Sequence, residues 1–388
     1  MTAAGLFLAV GCSGAAGAGS SAVGADTSTA PSPTFSSPTF SSPANPPSTT
    51  GRRPSALAGV RDVTKVAQLT GPDSINHTDR YQVAGQDLGS MFVADGRTWF
   101  VFGDTFGTRE PGMTGGGGGE WRSNTLAYST DTDPSDGITF DGYVTDDTGA
   151  AEELIRAQRI DNAEMTIIPT YGFAAGDAMY LAYMSVRHWG DPGEWEANYA
   201  GLARSTDHGE TWIPLESPRW PGDSNFIQVS VARVGSDLYF WSVPAGRFGG
   251  VCLMKVDSRH VEDADAYRYF AGLDAHGTPR WSSAMSDATV IVNSTVGELS
   301  VVWNDYLGRW LMSYTDGAGD GADLRAAPQP WGPWSDPVTL VSAADVPGVY
   351  APYMLPQYTA DGGRTIYFTV SEWDPYNVFW YRAELVKG

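Results

Sequence analysis

Apolar and polar positions along this chain alternate in short runs rather than in long helical stripes. Ser90–Val93 and Thr98–Phe102 are β-prone runs separated by Asp95-Gly96, a dipeptide that strongly favours a two-residue hairpin turn. Four further units repeat this arrangement, around Gly176-Asp177, Gly235–Asp237, Asp305–Gly308 and Asp361–Gly363. Each is followed by an apolar or aromatic strand: AMYLAYM, LYFW, RWLMSY and TIYFTV. Hairpins spaced by tens of residues suit four-stranded sheets arranged radially, which leaves few exposed sheet edges. The pattern predicts an all-β fold, a five-bladed β-propeller over 59–388. Helical periodicity is scarce, and Ala150–Ile160 is the one stretch that predicts a short helix.

The chain ahead of this region reads differently. Residues 13–58 are rich in Ala, Gly and Ser and then in Ser, Thr and Pro, as in PSPTFSSPTFSSPANPP. With so few large apolar residues to bury, this stretch predicts a disordered linker, stiffened by proline into a tether. Residues 1–12 end in LAVGCSG, which resembles a lipoprotein cleavage site with Cys12 as the acceptor. The flanks depart from a standard secretory signal, because no Lys or Arg precedes Arg52. Lipidation of Cys12 predicts a protein of the cell envelope, outside the cell and anchored at the outer face of the plasma membrane. The other cysteine, Cys252, lies in VCLMKV and reads as a small buried hydrophobe rather than a nucleophile.

The first hairpin also carries candidate chemistry. A two-residue turn at Asp95-Gly96 sets a register in which Asp87 lies directly opposite Asp104. Opposed residues in an antiparallel pair have Cβ atoms roughly 4.5–5.5 Å apart, and like charges there are destabilising. Asp also caps strand ends and turns, so the pair reads as backbone capping or as a functional carboxylate pair. Gly85, Gly89, Gly103 and Gly107 bracket both residues and tilt the balance toward a site, since glycine beside a strand often marks close approach of a ligand or backbone. Asp104 shares a strand face with Phe100 and Phe102, so desolvation is expected to raise its pKa and make it the acid/base. Asp87, with its more glycine-flanked surroundings, is expected to ionise more easily and act as the nucleophile.

The segment QDLGSMFVADGRTWFVFGDTFG, with YAPYMLP at Tyr350–Pro356 and LRAAPQPWGPWS at Leu324–Ser335, resembles the DUF4185 family, also classed as the GH183 glycoside hydrolases. The likeness runs from about Val60 to the C-terminus. It implies a five-bladed propeller and an endo-D-arabinanase. Such an enzyme cleaves α-D-arabinofuranosyl linkages of mycobacterial-type arabinogalactan and lipoarabinomannan with retention at the anomeric carbon. The two family carboxylates fall on Asp87 and Asp104.

Further polar and aromatic groups lie at strand ends, where a propeller axis would gather them. Trp189, Tyr350 and Trp373 are the expected stacking surfaces for sugar rings, and Tyr353, Glu372, Asn304 and Gln228 complete the expected substrate-binding set. Ser205–Trp212 matches the S-x-D-x-G-x-T-W Asp-box of sialidases and other propellers, which reads as a structural turn around Asp207. One box and no arginine triad argue against a sialidase. The five histidines and two cysteines show no ligand spacing, so neither a metal nor another cofactor is expected. Gly115–Gly119 lacks the Lys-Ser/Thr ending of a phosphate loop and reads as a mobile surface loop. A net charge of −21 argues against nucleic acid or an anionic lipid surface as partner and suits a neutral polysaccharide bound by a monomer, with membrane contact only through the lipid anchor. A non-catalytic glycan-binding propeller would keep the aromatic cleft but would not need the carboxylate pair.

Overall fold

The computed structural model describes residues 55–388, apart from residues 192, 248 and 320. Cys12 and most of the expected linker lie outside the described residues. The first strand, β1 (Leu57–Gln68), begins two residues ahead of the expected start of the propeller and joins the last sheet. Blade one follows as β2 (Gly85–Ala94), β3 (Arg97–Phe106), β4 (Thr125–Ser129) and β5 (Gly142–Tyr143). Blade two is β6 (Thr166–Ala175), β7 (Ala178–Trp189), β8 (Trp195–Ser205) and β9 (Ile213–Pro221). Blade three has five strands: β10 (Gln228–Val234), β11 (Asp237–Val243), β12 (Cys252–Asp257), β13 (Arg268–Leu273) and β14 (Pro279–Ser282). Blade four is β15 (Val296–Asn304), β16 (Arg309–Asp316), β17 (Gly321–Ala327) and β18 (Val338–Ser342).

Blade five closes the ring. Its inner strands are β19 (Val349–Ala360), β20 (Thr365–Glu372) and β21 (Asn377–Lys387), and β1 pairs antiparallel with β21 from Leu57↔Lys387 to Gln68↔Phe379. Both ends of the propeller are thereby tied into one sheet. The innermost strands β2, β6, β10, β15 and β19 touch one another in turn, and β19 returns to β2, so five sheets surround one axis.

Each of the five hairpin units read from the sequence is the turn between the innermost and second strand of one blade. At the first, Asp95 (φ 53) and Gly96 (φ 71) both take left-handed backbone, as a type I′ turn demands. This repetition fixes the polarity of the molecule. All five inner strands start on one face and end in these turns on the other.

The helix expected at Ala150–Ile160 is absent. Its backbone is bonded elsewhere: Asn124 Nδ2 donates to Ile155 O (2.9 Å), Asn124 Oδ1 accepts from Ile155 N (2.8 Å), and Glu152 N donates to Val144 O. Arg159 (φ 58) also leaves the helical region. The Asp-box forms the turn between β8 and β9. There Ser205 Oγ and Thr211 N donate to Asp207 Oδ1, and Trp212 packs into the buried cluster around Trp99 and Tyr183. Cys252 is fully buried, and burial pushes its thiol up to about 11.

Candidate active site

Asp87 occupies the third position of β2, near the start of the innermost strand of blade one. Gln86 pairs with Thr105, but Leu88 pairs with Phe102, so Asp87 faces two residues, Gly103 and Asp104, across a bulge. A second irregularity separates Leu88↔Phe102 from Ser90↔Val101, where Leu88 (φ 68) and Gly89 (φ 87) adopt left-handed backbone. The expected direct opposition of the two aspartates is thus corrected, since a turn sets register only as far as the first bulge. Blade five holds the distortion in place: Ser371 Oγ accepts from Leu88 N (2.8 Å), and Thr369 Oγ1 donates to Gly89 O (3.0 Å). Gly103 makes the room. A Cβ there would lie 2.5 Å from Asp87 Oδ1.

The two carboxyls have different partners. Tyr350 Oη donates to Asp87 Oδ2 (2.9 Å), whereas Asp87 Oδ1 is buried without a partner among the described residues. Trp121 Nε1 (2.7 Å) and Thr166 Oγ1 (2.8 Å) both donate to Asp104 Oδ1, and among the described residues none donates to Asp104 Oδ2. Neighbours enclose both aspartates, yet part of each residue's surface still opens to solvent. Burial, reinforced by the nearby Asp104 charge, pushes Asp87 up to about 8, with the Tyr350 and Tyr376 hydroxyls opposing. Burial pushes Asp104 up to about 6 only, because the Trp121 and Thr166 hydrogen bonds and the Arg159 charge favour its ionised form. The order is the reverse of the expected one. The expectation weighed strand neighbours, while Trp121, Thr166 and Arg159 arrive from distant parts of the chain.

Loops from two blades build the wall. The segment between β3 and β4 carries Trp121 to Asp104, and Arg159 lies over the Trp121 ring (4.6 Å) while bonding Trp121 O and Glu153. The Gly115–Gly119 run, expected as a mobile surface loop, is instead bonded in: Gly115 N donates to Trp373 O (2.8 Å), Gly119 pairs with Thr108, and Arg109 reaches Met113 O. Gly115 is required there, since φ is 69 and a Cβ would lie 2.5 Å from the Trp373 ring. In YAPYMLP, Tyr350 pairs with Ser371 and Tyr353 with Thr369. The extra residue between them, with Ala351 at φ 53, turns both tyrosines to one side.

The expected substrate-binding residues divide. Trp373 is 47% exposed and packs edge-on against Tyr350 (6.4 Å) and Tyr376 (5.8 Å). Trp189, at the end of β7 on the face where the inner strands start, is 37% exposed against Trp195 (5.8 Å). Tyr350 is nearly covered and serves Asp87 as a hydrogen-bond donor. Gln228 opens β10 on this same face, with Nε2 buried and unpartnered among the described residues.

Three assignments are corrected. Asn304 ends β15 on the opposite face, where it donates to Gly363 O (2.8 Å) and accepts from Leu307 N. Glu372 turns outward to Lys65 Nζ (2.6 Å) and Tyr381 Oη (2.8 Å). Tyr353, 2% exposed, packs beneath the site and has no face left for a sugar. Sequence reading missed Trp121, Thr166, Tyr376, Arg247 and Glu298. For Glu298 a signal existed, as the one charge near the start of the apolar run VGELSVVW; Thr166 and Trp121 carry no local signal.

The architecture is that of a five-bladed β-propeller with a recessed carboxylate pair at one end of the axis. Residues 73–382 match the profile described as "Domain of unknown function (DUF4185)", and the chain belongs to that family. It is 28% identical over 312 residues to the Notoamide biosynthesis cluster protein J' of Aspergillus versicolor, covering 76% of this chain and 82% of that protein. Among solved structures, a Bacteroides ovatus protein whose hydrolase role is itself only a proposal superposes with a TM-score of 0.54 at 15% identity, covering 83% of this chain and 90% of its own. An exo-β-1,3-galactanase from Phanerochaete chrysosporium gives a TM-score of 0.52 at 8% identity, covering 84% and 67%. At these identities the structural likeness is one of fold.

Proposed function

We propose that this chain is an endo-acting glycoside hydrolase that cleaves α-D-arabinofuranosyl linkages with retention. The observation that supports it most directly is the unlike bonding of the Asp87/Asp104 pair, with one Asp87 oxygen buried and unpartnered among the described residues and Asp104 Oδ1 held by two donors, surroundings that push Asp87 further up than Asp104. Near neutral pH one proton stays on Asp87, which can be given to the leaving oxygen. Asp104 is ionised, with Oδ1 held by Trp121 and Thr166 and Oδ2 free to attack the anomeric carbon. Bond making at Asp104 Oδ2 and bond breaking at the protonated oxygen give a glycosyl-enzyme. Asp87, now ionised, then takes a proton from water as that water releases the sugar from Asp104. The half-exposed Trp189 and Trp373 supply stacking surfaces on the same face. The arabinan substrate rests on the family resemblance, and Cys12 lipidation would place the enzyme at the envelope.

Incubation with mycobacterial arabinogalactan and, separately, plant arabinan tests the reading. A ladder of oligosaccharides from the first alone, with the anomeric configuration of the first-formed product retained, is the expected result. Products from neither polymer, or inverted products, would refute it. For the anchor, mass spectrometry of the membrane fraction should find a lipid-modified Cys12; unmodified protein found solely in the medium would refute that part.

A further inference from the structure

Arg247 reaches the site from blade three, beyond β11, and touches three other blades. Its Nη2 bonds Glu298 Oε1 of β15 at 2.8 Å, and its guanidinium lies 5.8 Å from the Trp195 ring and 5.7 Å from the Tyr350 ring. The fold makes way for it. A Cβ at Gly297 would lie 3.1 Å from the Arg247 side chain, one at Gly193 would lie 3.3 Å from Nη1, and Arg247 itself takes left-handed backbone (φ 55). Such a conformation persists only where surrounding contacts determine it. Glu298 is 6% exposed; burial alone would raise its pKa, but the Arg247 charge and hydrogen bond hold it below the ordinary range. Burial would likewise lower Arg247, and the Glu298 charge more than offsets this.

We propose that the Arg247–Glu298 ion pair is a positioning element for Asp87: it braces the Tyr350 ring that bonds the carboxyl and presents a balanced charge beneath it. This rests on the functional reading above. Among the described residues, the titratable and charged groups around Asp87 are Asp104 on β3, Arg109 in the β3–β4 segment over the Tyr376 ring (5.3 Å), Tyr350 and Tyr353 on β19, Tyr376 in the β20–β21 turn, Glu298 on β15, and Arg247. Among them only Arg247 is a cation paired to an anion, so removing either partner leaves an uncompensated charge of known sign beside Asp87. Arg247→Met exposes Asp87 to the Glu298 charge and favours its protonated form. Glu298→Gln exposes it to the Arg247 charge and favours the ionised form.

Infrared difference spectroscopy of the full chain during pH titration reads the protonated-carboxyl band, and Asp87→Asn identifies the Asp87 contribution. The Arg247→Met midpoint should rise by about one pH unit or more, and the Glu298→Gln midpoint should fall by a similar amount. The double variant should return close to the wild-type midpoint, as should Arg247→Lys, which keeps the charge. Shifts of the same sign in both single variants, or unchanged midpoints with native circular dichroism, would overturn the proposal. If Arg247→Met fails to fold, Glu298→Gln and the double variant carry the same test. On arabinan, the alkaline limb of the activity profile should follow these midpoints. Should arabinan not be cleaved at all, the glycosidase reading fails while the infrared midpoints still decide the role of the pair.

Discussion

At the scale of single residues, the site depends on two aspartates in unlike surroundings. The proposed mechanism needs Asp104 ionised and Asp87 protonated, so the rate should rise as pH passes about 6, where Asp104 loses its proton, and fall as pH passes about 8, where Asp87 does. A bell between those limits, measured as kcat/KM on arabinan, is the expected profile; a rate still climbing at pH 9 would contradict the assignment. Asp104→Asn and Asp87→Asn should each lower kcat by about 10³-fold or more, with the fold retained. The location of this pair was legible because its glycine-rich hairpin stands out in the chain. The roles were not. Asp87's environment is set by Tyr350 and Tyr376, more than two hundred positions away in blade five, and Asp104's by Trp121 and Thr166.

At the scale of elements, the five turn motifs located the innermost hairpin of every blade, because each turn's chemistry is local and recurs with the blade period. Bulges are another matter. The irregularities at Asp87–Gly89 and at Ala351–Pro352 are stabilised by Ser371, Thr369 and Thr315, and no period in the strand announces them. The same limitation put Asn304 in the site and made a helix of Ala150–Ile160, since neither the face reached by a strand end nor Asn124's grip on Ile155 is visible in the segment itself. The β2 bulge predicts a separation of function from stability. Gly103 has no left-handed backbone demand, so Gly103→Ala meets only a steric obstacle: Asp87 Oδ1 at 2.5 Å and Leu88 at 3.0 Å. Asp87 must move, and a displaced acid costs rate steeply. Turnover should drop about 100-fold, with a stability loss of about 1–2 kcal/mol by denaturant unfolding. A variant with wild-type turnover would show that Gly103 does not position Asp87.

At the scale of the whole molecule, β1 and β21 close the ring, and two carboxyls sit largely enclosed on its axis face. That burial has a thermodynamic consequence. Both aspartates hold protons in the folded state at pH values where the unfolded chain has released them, so between about 4 and about 8 the folded state binds more protons. More protons on the folded side means that rising pH favours unfolding. The contribution of Asp87 is therefore most favourable below the ordinary aspartate range, is lost as pH rises toward about 8, and is flat above it. Other groups add slopes of their own, such as Asp257, held well below the usual carboxylate range by Arg259, but these cancel when wild type and variant are compared at each pH. Asp87→Asn removes the buried charge and leaves an acceptor for Tyr350. The variant should match wild type near pH 4 and exceed it by several kcal/mol at pH 8–9, at about 1.4 kcal/mol per unit of displaced pKa, read from urea unfolding midpoints across that range. Parallel stability curves for the two proteins would mean that Asp87 is ionised without penalty in the folded state, and the acid role assigned to it would fall with that result.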